Sequence, residues 1–288
     1  MPVEYELDIP QSLDEALNAL ASDNGSSVTP LAGGTNLIID IRSRRERPAR
    51  VVGLDYVSEL RAIDCTSERV TIGSRTTVTD LLDSAEIAKA APSLVDAARV
   101  FAGHMVRNAA TVGGNIACGS PAADLVPPLM SLDAEVTLSS KSGSRTVALA
   151  DYFTGYKQDV RNADELITQV AWDRLPEHSV NTFRKLGRRK GDAITVTGVA
   201  LTVVVEDGVC QRARIALGSV GPTVFRARQA EALLEGKVLS NELFDAAARK
   251  AASESSPIDD VRASAEYRLH TIETLTRRLL TQAWARLA

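Results

Sequence analysis

Apolar and polar positions along the chain predict a mixed set of helices and strands. Ser12 and Glu15 have the spacing of a capping box, and the leucines that follow recur at helical intervals, which predicts a helix over about 12–22. Thr77 and Asp80 resemble a second cap ahead of an apolar stretch, and composition predicts a third helix over 92–101. Strands are predicted at 28–31, 51–54, 69–73, 134–138 and 146–149, the last two joined by a turn at 141–144.

The C-terminal part of the chain has a different pattern. A polar stretch interrupted by Pro176 precedes it, so a domain boundary is predicted near residue 177. Two β-rich runs follow, at 195–205 and 211–220, and the Asp207-Gly208 step between them is a hairpin signal. The remaining predicted elements are helices, over 241–252 and from about 264.

Composition and charge restrict the class of protein. The chain has 288 residues, which suits two domains, and a net charge of −4, which argues against a nucleic-acid partner. No apolar run approaches the roughly 20 residues of a membrane span, and the N-terminus lacks the pattern of an export signal. Cys65, Cys118 and Cys210 are too scattered for a disulfide framework or a four-ligand metal site. We therefore expect a cytoplasmic protein with no membrane span and no metal of its own.

Two glycine pairs are the main candidates for a binding function. Gly33-Gly34 lies beside a Thr and an Asn, and so does Gly113-Gly114. Glycine lets backbone N–H groups approach a ligand and permits positive φ, and successive N–H groups in a turn form a concave anion site. Two such sites suit the two phosphates of one dinucleotide. Taken alone, each pair is more often only a tight turn.

Neither glycine pair has the spacing of a common nucleotide-binding motif, and the two other glycine segments that come nearest to such motifs do not match them either. A Rossmann site needs G-x-G-x-x-G between a strand and a helix, and Gly218-Ser-Val-Gly221 lacks that spacing. Gly187-Arg-Arg-Lys-Gly191 is basic but has no hydroxyl residue at the P-loop position. A dinucleotide site in this chain therefore requires a different architecture.

Five segments, taken in order, resemble the FAD-binding medium subunits of the molybdenum hydroxylases, the group of xanthine dehydrogenase and carbon monoxide dehydrogenase. Together they cover essentially the whole chain, and their combination is more specific than any one of them. The segments are Leu31–Leu37, Val106–Asn115, Ser120–Asp124, Phe183–Asp192 and Arg262–Leu269.

The resemblance implies an α+β fold of the vanillyl-alcohol-oxidase type. An FAD-binding domain over 1–177 would consist of two subdomains, at about 1–57 and 58–177, with FAD between them. A C-terminal α+β domain over 178–288 would contain a small antiparallel sheet and helices.

The resemblance also implies the FAD-binding residues. The first glycine segment would wrap the pyrophosphate, Asp124 would accept hydrogen bonds from ribityl or ribose hydroxyls, and Lys185 would lie near the flavin. The alternatives are a helix N-cap for Asp124, which is compatible with the binding role, a turn residue for Asn115 and an ordinary core residue for Phe101. The implied residues are Leu31, Ala32, Gly33, Gly34, Thr35, Asn36, Leu37, Phe101, Thr111, Val112, Gly113, Gly114, Asn115, Asp124, Leu166 and Lys185.

No residue pattern indicates a nucleophile or an acid–base pair, so no catalytic residue is predicted. The resemblance implies an electron-transfer subunit of a heterotrimer, expected to form a dimer of heterotrimers. A small subunit would deliver electrons singly from two [2Fe–2S] clusters, and this chain would pass them to an external acceptor. A large molybdenum–pterin subunit would hydroxylate the substrate, a purine or another N-heterocycle. A stand-alone FAD-dependent oxidase and a cofactor-free scaffold are the two alternatives.

Overall fold

Residues 4–21, 28–189 and 194–287 are described by a computed structural model of the chain. Their larger sheets are a three-stranded parallel sheet, a five-stranded antiparallel sheet and a four-stranded antiparallel sheet, in that order along the chain. Residues 190–193, which end the basic segment after Phe183, lie outside the described residues, as does residue 22 at the end of the first predicted helix. Among the described helices, none has both the length and the apolar content that crossing a bilayer requires.

The N-terminal region contains the parallel sheet. Its central strand, β3, pairs in parallel with β1 on one side and β2 on the other. Because β2 ends at Leu31, the first glycine pair begins at the carboxyl end of a parallel strand, where ligands commonly bind in such sheets. The elements are β1 (Glu6–Asp8), α1 (Leu13–Ala21), β2 (Val28–Leu31), α2 (Leu37–Arg42), β3 (Arg50–Gly53) and a 3₁₀ helix (Ser58–Arg61).

The middle region contains the five-stranded sheet, in the order β4-β5-β10-β6-β7, and a short hairpin, β8-β9. Apolar side chains of the sheet and of the helices between β5 and β6 share one core cluster. The elements are β4 (Ile63–Cys65), β5 (Arg69–Gly73), α3 (Val78–Asp83), α4 (Ala85–Ala90), α5 (Pro92–Val100), α6 (His104–Ala109), α7 (Val112–Ala117), α8 (Val126–Ser131), β6 (Glu135–Ser140), β7 (Gly143–Ala148), α9 (Leu149–Tyr152), β8 (Phe153–Gly155), β9 (Gln158–Asp159) and β10 (Leu166–Asp173).

The C-terminal region contains the four-stranded sheet, in the order β11-β12-β13-β14. One face of this sheet, with Phe183 and Ala200, joins the core of the middle region, and the other face, with Leu201 and Ile215, packs against the last helices. The sheet is therefore covered on both sides. The elements are β11 (Ser179–Gly187), β12 (Thr195–Glu206), β13 (Val209–Gly218), β14 (Phe225–Arg226), α10 (Arg228–Leu234), α11 (Asn241–Ser253) and α12 (Ala265–Leu287).

The second glycine pair is the clearest difference from the sequence expectation. Gly113 and Gly114 lie in the helix α7 and have no positive φ, so the expectation of a turn there is wrong. Gly34 in the first pair does have a positive φ, of 67°. The patterns also leave β10 and β11 unpredicted, whereas the helix over 12–22 and the hairpin at 207–208 are found.

Candidate functional site

The first glycine segment is a loop between β2 and α2 that packs directly against the middle region. A Cβ added at Gly33 would lie 1.7 Å from the carbonyl oxygen of Ala109, so only glycine fits there. At Gly34 the positive φ is one that glycine adopts without steric cost. Because Ala109 is separated from Thr111 by a single residue, this contact brings the two predicted glycine segments together.

The same loop presents a row of unpaired hydrogen-bond donors. The main-chain N–H groups of 32–36 donate to no acceptor among the described residues. Four of these residues are half-buried, and Asn36 is exposed. Since these N–H groups lie on a partly accessible loop and have no acceptor among the described residues, the row suits a ligand with several acceptor oxygens. Phosphate groups have this chemistry.

In the second glycine segment, by contrast, the protein itself accepts the hydrogen bonds of the main chain. Thr111 is the N-cap of α7, and its hydroxyl oxygen accepts from the N–H of Gly114 at 3.1 Å. The N–H of Gly113 donates to the Ser74 carbonyl at 2.8 Å, and a Cβ at Gly113 would lie 2.6 Å from the Cβ of Ser74. Here glycine is needed for close packing on β5 and the residue after it, and not for exposed donors.

Asn115 connects α7 to the segment that carries Asp124. Its Oδ1 accepts a hydrogen bond from the N–H of Leu125 at 3.1 Å. This bond spans ten residues, so Asn115 is not satisfied by its own turn. It also fixes the orientation of the amide, because Oδ1 faces Leu125 and the NH₂ group remains for another acceptor.

Asp124 lies between the middle and C-terminal regions. Its Oδ2 accepts from Nζ of Lys185 on β11 at 2.6 Å, and its Oδ1 accepts from the hydroxyl of Thr195 on β12. The N-cap of α8 is Leu125, so Asp124 does not take the capping role that its sequence context also allowed. The N–H of Ser219 donates to the Pro121 carbonyl at 2.7 Å and holds the C-terminal sheet against this segment.

Burial is the largest influence on the pKa of the Asp124 carboxyl in its pair with Lys185. The side chains of Lys185 and Asp124 are only 7% and 11% exposed. Burial raises the pKa of the Asp124 carboxyl, and the Lys185 ammonium and the Thr195 hydroxyl lower it by a smaller amount. A ligand that offers hydroxyl donors would further stabilise the carboxylate.

Phe101 and Leu166 pack in two different core clusters. Phe101 is the C-cap of α5 and is half-buried against the middle core. Leu166 begins β10 and is 4% exposed, and its side chain packs in the N-terminal core cluster, against which Ala32 also packs. Leu166 therefore belongs to the cluster against which the first loop packs.

Several residues that shape the site were not among the predicted ones. Ala109 and Ser74 provide the close contacts for the two glycine pairs, and Thr195 binds Asp124. Asp40 on α2 accepts from Nδ2 of Asn36. The sequence offers a local signal only for Asp40, which is the one acid in the apolar run of α2. The other contacts join residues distant in the chain.

Taken together, the residues fit a dinucleotide with a pyrophosphate group. The unpaired N–H groups of the first loop suit phosphate oxygens, and the Asn115 amide is turned so that its NH₂ can donate as well. Asp124 supplies an acceptor for hydroxyl groups. The described residues contain no group of three or more side chains placed to hold a metal ion.

Comparison with known families matches almost the whole chain. Residues 3–176 match the model described as the FAD binding domain in molybdopterin dehydrogenase. Residues 181–283 match the CO dehydrogenase flavoprotein C-terminal domain.

Individual proteins of this kind are similar over most or all of their length. The carbon monoxide dehydrogenase medium chain of Hydrogenophaga pseudoflava is 32% identical over 291 residues, with 100% of both chains covered. The nicotinate dehydrogenase FAD-subunit of Eubacterium barkeri is 35% identical over 247 residues, covering 84% of this chain and 83% of that protein. A solved structure of the Hydrogenophaga pseudoflava carbon monoxide dehydrogenase lacking the Mo-pyranopterin moiety has a TM-score of 0.95, 32% identity and 100% coverage of both chains. The expected fold is confirmed.

Proposed function

The chain belongs to the family of FAD-binding subunits of the molybdopterin dehydrogenases, and we propose that it is the electron-transfer subunit of a heterotrimeric complex. In this proposal it receives electrons singly from [2Fe–2S] clusters of a small subunit and delivers them to an external acceptor. A large molybdenum–pterin subunit hydroxylates the substrate. FAD supplies the redox chemistry, because it can take up electrons one at a time and release them as a pair.

The observation that carries this proposal is the row of unpaired N–H groups on the first loop. Five successive donors, at 32–36, lie where Gly33 touches the segment that leads into α7. Hydrogen bonds from such donors to an anionic oxygen are about twice as strong as neutral ones. We assign the FAD pyrophosphate to this loop.

The other residues have complementary roles around the cofactor. Thr111–Asn115 form the second wall, where the Asn115 NH₂ group donates to the phosphates or the flavin. Asp124 accepts from ribityl or ribose hydroxyls. Lys185 places a positive charge beside the flavin, and Phe101 contributes an apolar edge. No residue of the chain is assigned a role in bond-breaking chemistry, in keeping with a subunit that only transfers electrons.

The substrate is assigned to the large subunit, and we propose a purine or another N-heterocycle. The similarity to a nicotinate dehydrogenase FAD-subunit supports this class. We propose a dimer of heterotrimers as the assembly.

Flavin titration of the full-length chain tests the cofactor assignment. Flavin is removed, and FAD, FMN and riboflavin are added back while the quenching of flavin fluorescence is followed. We expect one FAD per chain and an affinity for FAD at least about 100-fold above that for riboflavin, or about 2.7 kcal/mol, because only FAD has the pyrophosphate. Equal affinities for FAD and riboflavin would rule out a pyrophosphate site.

Anaerobic reduction of the native complex tests the electron-transfer role. Xanthine, nicotinate and carbon monoxide are added in turn while the absorbance of bound flavin is recorded. An N-heterocycle should bleach the flavin of the complex and leave the isolated chain unchanged. Bleaching only by carbon monoxide would contradict the substrate class. Bleaching of the isolated chain would instead favour a stand-alone oxidase.

A further inference from the structure

Asp40 is a buried acid directly beneath the loop that we assign to the pyrophosphate. It lies on α2, four residues after Asn36, and is 6% exposed. Buried acids are rare unless they are paired, because removing a charge from water is costly. A negative charge in this position would also repel a bound phosphate. Its location therefore needs an explanation that the proposed function does not give.

Two side chains bind the Asp40 carboxylate, one at each oxygen. Nδ2 of Asn36 donates to Oδ2 at 2.8 Å, and a guanidinium nitrogen of Arg45 lies 2.9 Å from Oδ1. The main-chain carbonyl of Asp40 also accepts from the N–H groups of Arg45 and Glu46 at 2.9 and 3.2 Å. The turn after α2 is thus folded back so that Arg45 reaches the acid.

The contact with Asn36 sets the orientation of its amide. A carboxylate can only accept hydrogen bonds, so the NH₂ group of Asn36 must face Asp40. Asn36 occupies the N-cap position of α2, where an asparagine usually accepts from the first turn, yet it forms no such cap here. Its side chain is held by Asp40 instead.

The charge of Asp40 also extends to the second glycine segment. Burial is the main cause that raises the pKa of the Cys118 thiol, at the end of α7. The Lys157 charge and a hydrogen bond from the Ser120 backbone oppose it, and the negative charge of Asp40 adds the smallest contribution, which raises the pKa. The charge of Asp40 therefore acts beyond the first loop, at the end of α7.

We propose, on the premise of the FAD site assigned above, that Asp40 is a positioning residue for Asn36 and that Arg45 neutralises its charge so that the loop can accept the pyrophosphate. Arg45 acts on cofactor affinity without touching the cofactor. Asp40 contributes its hydrogen bond to Asn36, and its charge is tolerated only because of Arg45.

The test is whether removal of the Asp40 charge restores the FAD affinity that is lost when Arg45 is removed. FAD affinity of the deflavinated full-length chain is measured for Arg45→Ala, Asp40→Asn and the double variant. Arg45→Ala should weaken FAD binding by about threefold to tenfold, because it leaves the Asp40 charge unpaired. Asp40→Asn should bind FAD more tightly than Arg45→Ala, since it removes the charge while an Asn Oδ1 still accepts from Asn36. The double variant should return to within about twofold of the wild type.

Arg47→Ala is the matched control. Arg47 is in the same exposed turn and forms no hydrogen bond or ion pair with the described residues. Its replacement should leave FAD affinity unchanged. The melting temperature of the flavin-free protein should fall further for Arg45→Ala than for Arg47→Ala, because only Arg45→Ala leaves the buried Asp40 charge unpaired, so FAD affinity is compared well below both melting temperatures.

Two outcomes would overturn the inference. A double variant as weak as Arg45→Ala would mean that Arg45 binds the cofactor directly. Unchanged FAD affinity in Arg45→Ala would mean that the Asp40 charge does not reach the site. Failure of the FAD site itself is distinguishable, because the wild type would then show no preference for FAD over riboflavin.

Discussion

The two glycine segments have nearly the same sequence signature and opposite structural roles. In the first, the N–H groups of 32–36 have no partner among the described residues. In the second, the N–H groups of Val112, Gly113, Gly114 and Asn115 all donate to carbonyl or hydroxyl oxygens of the protein. One segment is open to a ligand, and the other is a helix closed by its own bonds.

This difference separates two uses of glycine that a motif cannot distinguish. The first loop needs glycine for backbone conformation and for its contact with Ala109, and it keeps its donors unused. The second segment needs glycine so that α7 can pack on Ser74. We therefore expect substitutions in the first loop to affect mainly FAD affinity, and substitutions in the second to affect mainly stability.

The largest effect is expected for Gly33→Ala. The added Cβ would clash with a backbone oxygen, which cannot rotate away, so the loop must shift and its donors must separate from the phosphate oxygens. FAD affinity should fall at least about tenfold, or 1.4 kcal/mol. Fluorescence titration of the flavin-free chain provides the measurement.

Gly103→Ala is the control for that variant. Gly103 lies at the start of α6 with φ of −94°, and a Cβ there would meet nothing within 4 Å. FAD affinity should not change. If Gly33→Ala bound FAD as tightly as Gly103→Ala, the first loop would not be the pyrophosphate site, and the contrast between the segments would lose its functional meaning.

A smaller and different effect is expected for Gly113→Ala. Alanine favours a helix over glycine by up to about 1 kcal/mol, so propensity alone predicts stabilisation. The 2.6 Å approach to the Ser74 Cβ should reverse the sign and give a net loss of about 1–2 kcal/mol, because overpacking forces α7 away from β5. Thermal melting of the flavin-free protein measures this.

Ser74→Gly sharpens the same experiment. It removes the atom nearest to the new Cβ, so the melting temperature of the double variant should recover part of the loss. Recovery should be incomplete, since the Ser74 carbonyl oxygen would remain 2.9 Å away. A stabilised Gly113→Ala variant would show that the contact is soft and that the second pair is not required for packing.

The sequence alone predicts the elements that depend on local signals. The capping box of Thr77 and Asp80, the strand at 28–31 and the Asp207-Gly208 hairpin are all found, because each depends on residues adjacent in the chain. The strands β10 and β11 are missed. β10 is the central strand of its sheet, and its run of buried residues lacks the alternation that marks a half-exposed strand.

The candidate site is predicted less completely than the fold. Glycine, Thr and Asn in one segment indicate a close backbone approach, but they do not tell whether a ligand or another part of the protein approaches. For Gly113 that neighbour is Ser74, 39 positions earlier in the chain, and for Gly33 it is Ala109. Those contacts are seen only in the three-dimensional fold. The sequence therefore could not predict that, of the two glycine segments, the first keeps its main-chain N–H groups without a protein acceptor among the described residues.

The smallest effect is expected for Thr111→Val, which tests whether the second segment is held by its own cap. Valine keeps the shape of threonine but cannot accept from the N–H of Gly114, so the first turn of α7 loses its side-chain cap. Removing such a cap typically costs about 1 kcal/mol. The melting temperature of the flavin-free protein should fall by about 2–4 °C, and added FAD should restore little of it. If FAD instead restored the full difference, the N–H of Gly114 would be donating to the cofactor. The two glycine segments would then share one role despite their different hydrogen bonds.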